Sequence, residues 1–247
     1  FTDINYAVAS REDKEAMFLE YSELLNSLDS GATTKLTINK SYEGIEATNI
    51  VITGGTISIV ATDDGINAAG GSNTASPNTS RPGMNNFSSS TGTIQISGGT
   101  IYVKMNGDGI DSNGTLSITG GSITISGANS GDTSILDFDT TGTISGGTFI
   151  GTGSSSMAQN FSSSSTQGAI MVNASGNSGT VVKLTDSSGN VLLTHTADRA
   201  FSCVIISHSS IVKGGTYTLT VGSSSTTITM SSTVYSSNGS GSMSGRK

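Results

Sequence analysis

One short pattern recurs four times in this chain and sets a fixed period. Each copy carries polar or acidic residues around an aliphatic residue, with glycine at the second position in three of the four. The copies are Glu43-Gly44-Ile45-Glu46, Asp64-Gly65-Ile66-Asn67, Asp108-Gly109-Ile110-Asp111 and the degenerate Ser134-Ile135-Leu136-Asp137. Paired glycines accompany them, about 22 residues apart where the pattern is most regular, at Gly54-Gly55, Gly98-Gly99, Gly120-Gly121 and Gly146-Gly147. A repeat of this length indicates a solenoid, in which successive repeats stack and bury one continuous core.

Between the acidic turns and the paired glycines, apolar residues alternate strictly with polar ones. Period-2 alternation is typical of strands that bury one face, and the many β-branched residues favour the same assignment. Each repeat is predicted to contain a strand, a Gly-Gly bend, a second strand and the acidic turn. Coils of about 22 residues built this way predict an all-β fold, a parallel β-helix with about three sides. The alternating pairs are Ile50 and Ile52, Ile57 and Ile59, Ile94 and Ile96, Ile101 and Val103, Leu116 and Ile118, and Ile123 and Ile125.

The composition argues against several classes of partner. The chain carries 11 lysines and arginines against 18 aspartates and glutamates, which gives a net charge of −7. An acidic chain lacks the basic surface that nucleic acids and anionic membranes require, and no apolar run has the length needed for membrane insertion. The abundance of Ser, Thr, Gly and Asn beside a single cysteine is typical of a secreted or bacterial cell-surface protein. That cysteine, Cys203, lies in an apolar run and is expected to be buried.

The chain divides into four predicted segments that differ in strand signal and in acidic turns. The first contains the only clear helix signal, over residues 10–28, where Ser10 is a good N-cap and apolar residues recur at helical spacing. A helix at this position is expected to cap the exposed end of the solenoid. The predicted segments are residues 1–34 with the N-terminal capping helix, 35–167 with the parallel β-helix coils, 168–235 with C-terminal β coils and a hairpin around Asp186–Asn190, and 236–247 as a flexible tail.

A polar insert over residues 70–92 interrupts the period. The paired glycines on either side of it are 44 residues apart, about two periods, although only one acidic tetrapeptide lies between them. Long insertions in repeat proteins often leave from the binding face, but a loop without a function explains this one equally well.

Stacked repeats place the acidic residues in columns. Adjacent strands lie about 4.7–4.9 Å apart, and two like charges at that distance repel by about 3–4 kcal/mol at an effective dielectric constant of about 20. A bound cation relieves this repulsion, and oxygen donors on turns favour Ca²⁺, whereas zinc would call for a cluster of His or Cys. The alternative is a ladder of Asx-type turns, in which each carboxylate accepts a backbone N–H. The candidate metal ligands are Glu46, Asn67, Asp111 and Asp137 in one outward column, Glu43, Asp64 and Asp108 in a second, and Asp63 and Asp139 close by.

The order of these motifs resembles a family of bacterial cell-surface carbohydrate-binding proteins with a fold like that of pectate lyases. The matching segments are Ser41 to Ala47, Asp63 to Ala68, Gly107 to Gly114, Leu136 to Asp139 and Gly214 to Leu219. The resemblance covers most of the chain, from the capping helix to about residue 234. It implies a right-handed parallel β-helix, calcium sites at the acidic turns, and binding of cellulose or of acidic pectic polysaccharides of the plant cell wall, without an established catalytic role.

Two functional hypotheses follow, and the candidate substrate-binding residues differ little between them. In the first, the protein is a calcium-dependent binding module in which Ca²⁺ bridges protein carboxylates to uronates. Tyr102, outward by parity, is the candidate for stacking on a sugar, although an ordinary strand-surface tyrosine is the stronger interpretation. In the second, it is a pectate-lyase-like enzyme, whose β-elimination needs a base; Lys104, outward and four residues before Asp108, is the one candidate. Because a lone base without other basic clamps is a weak signal, the binding module is preferred. The sequence leaves the oligomeric state open.

Overall fold

The structure, a computed structural model, describes residues 34–69 and 92–237. Within these ranges the chain is all-β and contains no helix. The predicted capping helix over residues 10–28 lies outside the described residues, as does almost the whole of the predicted insert. The described part of the chain has no helix that is long and apolar enough to cross a membrane.

Short strands make up most of the described chain, and turns or bends of a few residues connect them. In chain order they are β1 Lys35–Ser41, β2 Ile45–Glu46, β3 Asn49–Ile52, β4 Thr56–Ala61, β5 Ile66–Ala68, β6 Thr93–Ile96, β7 Thr100–Lys104, β8 Ile110–Ser112, β9 Thr115–Ile118, β10 Ser122–Ser126, β11 Leu136–Phe138, β12 Thr141–Ile144, β13 Thr148–Gly153, β14 Ala169–Val172, β15 Val181–Asp186, β16 Val191–Thr196, β17 Cys203–Ser207, β18 Thr216–Val221, β19 Ser224–Thr229 and β20 Val234–Ser236.

Three sheets are built from parallel strands that recur once in each repeat. The first, here called the long sheet, begins with β1, β4, β7, β10 and β13 in that order. The second, the turn sheet, contains β2, β5, β8 and β11, and the third contains β3, β6, β9 and β12. Pairing is in register, so that Ile57, Ile101 and Ile123 lie side by side. Along the chain, consecutive strands belong in turn to the long sheet, the turn sheet and the third sheet. This arrangement is consistent with the predicted solenoid.

The apolar residues that alternate in the sequence form the core enclosed by these sheets, as predicted. Ile59, Ile94, Val103 and Ile110, which come from all three sheets, are each fully buried. Together with their neighbours above and below they form one continuous apolar cluster. Burial of such aliphatic side chains stabilises the fold by about 1.5–3 kcal/mol each before the loss of chain entropy is counted.

The paired glycines form the bends between the third sheet and the long sheet, as the sequence predicts. The second glycine of each pair has a positive φ, between 84° and 96°, a region that other residues rarely adopt. Strand β4 pairs directly with β7, so the long interval between two of these bends contains one repeat plus the insert. The glycines with positive φ at these bends are Gly55, Gly99, Gly121 and Gly147.

A compensating exchange of side chains marks the fourth acidic turn. In the third turn, a Cβ on Gly109 would lie 2.4 Å from the carbonyl oxygen of Ile135 and 2.6 Å from Cγ2 of Ile125, so only glycine fits. In the fourth turn, Ile135 occupies the position equivalent to Gly109, and the strand partner of Ile125 is Gly151. A Cβ on Gly151 would lie 2.2 Å from Cγ2 of Ile135. The aliphatic side chain has moved from the strand to the turn, and the core stays filled.

The connection after β13 closes the stack of parallel strands. The side-chain amide of Gln159 accepts the N–H of Phe138 at 2.9 Å and donates to its carbonyl at 3.2 Å, which pairs the free edge of the turn sheet. The hydroxyl of Ser162 accepts a backbone N–H from β12 at 3.0 Å and so pairs the third sheet. Phe161 is buried and meets Phe149 edge to face, with ring centroids 5.2 Å apart. This segment acts as a cap on that end of the stack.

The C-terminal strands form a second layer over the outer face of the long sheet. Strand β17 extends the long sheet antiparallel to β13, and β14 pairs antiparallel with β17. Strands β16, β15, β18 and β19 form a separate antiparallel sheet. A second apolar cluster lies between the two layers, with Ile150 and Ile206 from one and Leu184 and Leu219 from the other. The predicted hairpin is present as β15 and β16.

Two smaller expectations concern the same region. Cys203 is free and fully buried in β17, as predicted, and burial raises the pKa of its thiol to about 12. Strand β20 ends at Ser236, one residue inside the predicted tail, and pairs with β14. Residues 238–247 lie outside the described part of the chain.

Candidate functional site

The turn sheet places the first predicted column of polar residues side by side. Its aliphatic residues point into the core, since Ile66, Ile110 and Leu136 are fully buried. Parallel strands in register put the next residue of each strand on the same face, where side chains of neighbouring repeats stand one strand spacing apart. The resulting column is Glu46, Asn67, Asp111 and Asp137, in agreement with the predicted register.

The second column is a ladder of hydrogen bonds between successive turns. Glu43 Oε2 accepts the backbone N–H of Asp64 at 3.1 Å, and Asp64 Oδ1 accepts that of Asp108 at 2.7 Å. Asp108 Oδ1 accepts both the N–H of Ser134 at 2.5 Å and its hydroxyl at 2.9 Å. The Asx-type contacts considered from the sequence are therefore present. At Asp64 and at Asp108 the ladder uses only one carboxylate oxygen. The second oxygen of each carboxylate is available to another ligand.

The two columns meet at one cluster of carboxylates. One carboxylate oxygen from each of Asp64, Asp108 and Asp111 lies within 4.8 Å of the other two. All three side chains are half-buried. Among the described residues this is the one group of three potential acidic or His/Cys ligands with such spacing.

Burial and mutual repulsion make these carboxyl groups hard to ionise. Burial, reinforced by the charges of Asp137, Asp64 and Asp108, raises the pKa of Asp111 to about 8. Burial also raises the pKa of Asp108 to about 6, although the hydrogen bonds from Ser134 oppose the shift. The pKa of Asp64 is raised for the same reason, against the hydrogen bond from Asp108. A divalent cation at this cluster would reverse the balance, because it favours the ionised form of every ligand.

Asn67 adds a buried oxygen, without a partner in the described chain, to the column beside this cluster. It lies between Glu46 and Asp111 in the column, it is 91% buried, and its Oδ1 has no hydrogen-bond partner among the described residues. A buried acceptor without a partner costs about 1–3 kcal/mol, so such atoms normally have a protein, water or ion partner. An amide oxygen is one of the neutral ligands that Ca²⁺ accepts.

The remaining predicted ligands surround the cluster without joining it. Asp137 lies next to Asp111 in register, and Asp139 follows Asp137 at the exposed end of β11. Asp63 accepts the N–H of Gly107 through its backbone carbonyl at 3.0 Å. Glu43 and Glu46 belong to the first turn, and burial raises the pKa of Glu43 to about 7, with added repulsion from Asp64 and Asp63. These residues add negative charge around the triad.

The predicted sugar-binding residues lie on the outer face of β7. Tyr102 is half-buried, and its hydroxyl donates to Asp198 Oδ2 at 2.6 Å. Burial, followed by this hydrogen bond, raises the pKa of Tyr102. Lys104 is also half-buried, one residue before the carbonyl of Met105 that accepts from Arg199. Tyr102 is thus held against the C-terminal layer and is not a freely exposed stacking platform.

Several polar residues at this face lack any local sequence signal. Asp198 and Arg199 lie in the connection between β16 and β17, more than 90 residues after the strand that they contact. Such contacts depend on how the C-terminal layer lies on the long sheet, which no periodicity in the sequence indicates. Ser134 did carry a signal, because it stands at the acidic position of the fourth repeat, where it ends the ladder.

No protein-family model, curated protein or solved structure matches this chain. The resemblance to carbohydrate-binding β-helix proteins therefore stays a prediction.

Proposed function

We propose that this protein is a right-handed parallel β-helix that binds Ca²⁺ at its acidic turns and uses it to bind plant cell-wall polysaccharide without catalysis. The preferred ligand is an acidic pectic polymer such as polygalacturonate, and cellulose is the second candidate. The protein would act as a secreted or bacterial cell-surface binding module, with a terminal helix over residues 10–28 as its cap.

The observation that carries this proposal is the spacing of Asp64, Asp108 and Asp111. Ca²⁺ takes six to eight oxygen ligands at about 2.3–2.6 Å, so two ligands of one ion lie at most about 5 Å apart. The three carboxylates, with oxygens within 4.8 Å of one another, meet that condition before any movement of the turns. Asn67 would add a neutral oxygen, and Asp137 would add charge. Flexible side chains with mixed charged and neutral oxygens suit Ca²⁺ better than Mg²⁺, which demands an octahedral site.

The metal also explains how an acidic chain binds an acidic polymer. At a net charge of −7 the protein would repel polyuronate without a cation. Because the triad is only half-buried, a calcium ion held by it would be within reach of a uronate carboxylate, which is a hard oxygen ligand of the same kind as Asp. Binding of acidic glycan at the triad is then expected to need calcium, so retention on a polyuronate should be stronger in calcium than in chelator. Binding of a neutral glycan such as cellulose should not depend on calcium.

A lyase is the alternative, and Lys104 is the observation that favours it. Its side chain is on the outer face of β7, and the turn that follows leads within four residues to Asp108. β-Elimination would need Lys104 as the base that removes the proton α to a uronate carboxyl, while the metal makes that proton more acidic. Binding and elimination share the metal and differ only in this step.

The first test is calcium binding measured by isothermal titration calorimetry. Asp111→Asn removes one charge from the triad with little change in size, and Asp132→Asn removes one from an exposed loop as the matched control. We expect the first variant to bind Ca²⁺ at least ten-fold more weakly than the wild type, and the second to match the wild type. Equal affinity in all three proteins would exclude the triad as the calcium site.

The second test is retention on polygalacturonate and on cellulose, in calcium and in chelator. The same samples are assayed for the absorbance of unsaturated uronides. Calcium-dependent retention on polygalacturonate without absorbance supports the binding module. Absorbance that rises in the wild type and is lost in Lys104→Ala would replace the binding module with the lyase.

A further inference from the structure

A separate cleft, wide open to solvent, lies where the C-terminal layer meets the coils. It has a volume of about 320 Å³ and is lined by Asn106, Ala128, Asn129, Arg199 and Ala200. These residues come from three segments: the turn after β7, the loop after β10 and the connection between β16 and β17. Their convergence depends on the fold, and a volume of this size suits a small polar ligand such as one sugar residue.

Arg199 is a fixed positive charge that has no counter-ion within residues 34–69 and 92–237. Its Nη1 donates to the carbonyl of Met105 at 2.6 Å and to Asn106 Oδ1 at 3.1 Å, which holds the guanidinium in place. No carboxylate among the described residues lies within ion-pair distance of it. The adjacent Asp198 instead accepts a hydrogen bond from Tyr102. In a chain with a net charge of −7, an uncompensated guanidinium in a cleft points to an anionic ligand.

The two asparagines of the cleft are oriented as hydrogen-bond donors. Asn106 Oδ1 accepts from Arg199, and Asn129 Oδ1 accepts from the hydroxyl of Ser202 at 2.7 Å. That hydroxyl is itself fixed by the N–H of Ser155 at 2.9 Å. With both amide oxygens engaged, the amide nitrogens remain to donate to a ligand. The cleft therefore offers N–H donors from one guanidinium and two amides.

Two buried hydroxyls without a hydrogen-bond partner in the described part of the chain lie in the strands that lead to the cleft wall. Ser126 Oγ and Thr152 Oγ1 are fully buried and have no hydrogen-bond partner among the described residues. Ser126 Oγ comes close to the Tyr102 hydroxyl and favours its ionised form, but no hydrogen bond of normal geometry joins them. The two residues are neighbours in register, and Ser126 is two residues before Ala128 in the cleft wall. Buried hydroxyls are normally satisfied, so an internal water is expected beside them, and neither residue lines the cleft itself.

We infer that this cleft binds the carboxylate of a uronic acid residue, with Arg199 as the charged donor and Asn106 and Asn129 as donors to the sugar hydroxyls. The planar guanidinium matches a carboxylate, and its hydrogen bonds to an anion are about twice as strong as neutral ones. The inference rests on the proposed function in that the glycan is acidic, but it needs no metal. Because Asn106 is two residues before Asp108, one acidic polymer can reach both sites.

The test uses the full chain, with trigalacturonate as the acidic probe and cellotriose as the neutral one. Binding is measured by calorimetry in chelator and again in calcium, for the wild type, Arg199→Gln and Asn129→Asp. The second variant replaces an amide donor with a carboxylate of the same size at an exposed position, so it keeps the test valid if Arg199→Gln is poorly folded. Lys183→Gln, which removes a positive charge from the C-terminal sheet, is the matched control.

In chelator we expect trigalacturonate to bind the wild type and Lys183→Gln equally, and each cleft variant at least ten-fold more weakly. The side-chain amide signals of Asn106 and Asn129 should shift on titration in NMR spectra. Unchanged affinity in both cleft variants, or equal binding of cellotriose, would overturn the inference. Calcium affinity, measured separately, should be the same in Arg199→Gln as in the wild type, so failure of the cleft and failure of the calcium site are distinguishable.

Discussion

At the scale of single residues, Asn67 distinguishes a cation site from a ladder that serves the turns alone. Its register neighbours are Glu46 and Asp111, and all the hydrogen bonds of the ladder run through the other column. A purely structural column gains nothing from a buried amide oxygen that accepts no hydrogen bond. An ion that takes this oxygen removes the penalty of about 1–3 kcal/mol for an unpaired buried acceptor.

Replacing Asn67 with leucine should therefore affect the metal-free and calcium-bound proteins in opposite directions. In chelator the variant should be as stable as the wild type or up to about 2 kcal/mol more stable, since it loses an unpaired buried acceptor without loss of volume. In calcium it should bind the ion about ten-fold more weakly, because one oxygen ligand is gone. Urea unfolding in chelator and calorimetric titration measure the two effects. A less stable apo protein with unchanged calcium affinity would assign Asn67 a structural role instead.

The carboxyl groups of the turns also predict an unusual dependence of stability on pH. Burial raises the pKa of Asp111 to about 8 and that of Glu43 to about 7, whereas unfolded Asp and Glu titrate near 3.9 and 4.3. The folded protein keeps protons that the unfolded chain has released. The stability contributed by these groups is complete below pH 4 and is lost as pH rises through 7 and 8.

We therefore expect the metal-free protein to melt at a lower temperature at pH 8 than at pH 6.5. Saturating calcium should raise the melting temperature most at pH 8, where the ion no longer competes with protons. Protonation of His195 contributes little in this pH range. Burial lowers the pKa of His195, so its protonation destabilises the fold only at more acidic pH. Asp111→Asn should flatten the apo profile. An apo protein that becomes more stable between pH 6.5 and 8 would contradict the assigned shifts.

At the scale of elements, the acidic turns depend on glycine for close contact between repeats. We expect Gly109→Ala to destabilise the fold by about 1–3 kcal/mol, because its Cβ would lie 2.4 Å from the backbone oxygen of Ile135, which cannot move without the next turn. Gly131→Ala is the matched control, since nothing lies within 4 Å of its Cβ position. Equal midpoints of urea unfolding for the two variants would mean that the turn tolerates a shift of the next repeat.

How much of each element the sequence predicts depends on whether its cause is local. Alternation of Ile94 and Ile96 with polar residues, and the glycine pairs, determine strand faces and bends, so these are predicted correctly. The exchange between Ile135 and Gly151 is not, because it joins positions in two strands that meet only after folding. The cap made by Gln159 is also missed, since a side-chain amide that pairs with a strand edge has the composition of a loop.

The same distinction applies to the candidate site. Period and parity predict both acidic columns, because each depends only on stacking of equal repeats. The meeting of Asp64 with Asp111 across the columns depends on the torsion angles of the turns, and the burial of these groups depends on the neighbouring repeats. Arg199 and its cleft require knowledge of where the C-terminal layer docks, which is set by the second apolar cluster and not by any repeat.

At the scale of the whole molecule, two apolar clusters share the long sheet. One lies inside the coils, and the other lies between the long sheet and the C-terminal sheet. The triad of Asp64, Asp108 and Asp111 belongs only to the coils, since Asp64 precedes β5 and the other two flank the start of β8. A bound ligand raises the free energy of every local opening that disrupts its site. It leaves unchanged the openings of regions that unfold independently.

Calcium is therefore expected to slow hydrogen exchange unevenly along the chain. A ligand at about 100 times its Kd adds about 2.7 kcal/mol to the free energy of any opening that releases it. Hydrogen exchange through that opening becomes about 100-fold slower. Peptides that contain β5, β8 and β11 should gain this protection, and peptides of β15, β16, β18 and β19 should exchange as in chelator. Mass spectrometry of exchange with and without calcium measures both sets, with Asp111→Asn as the control that abolishes the difference. Equal protection of both sets would mean that the two clusters open as one cooperative unit, and protection confined to the C-terminal sheet would place the ion elsewhere.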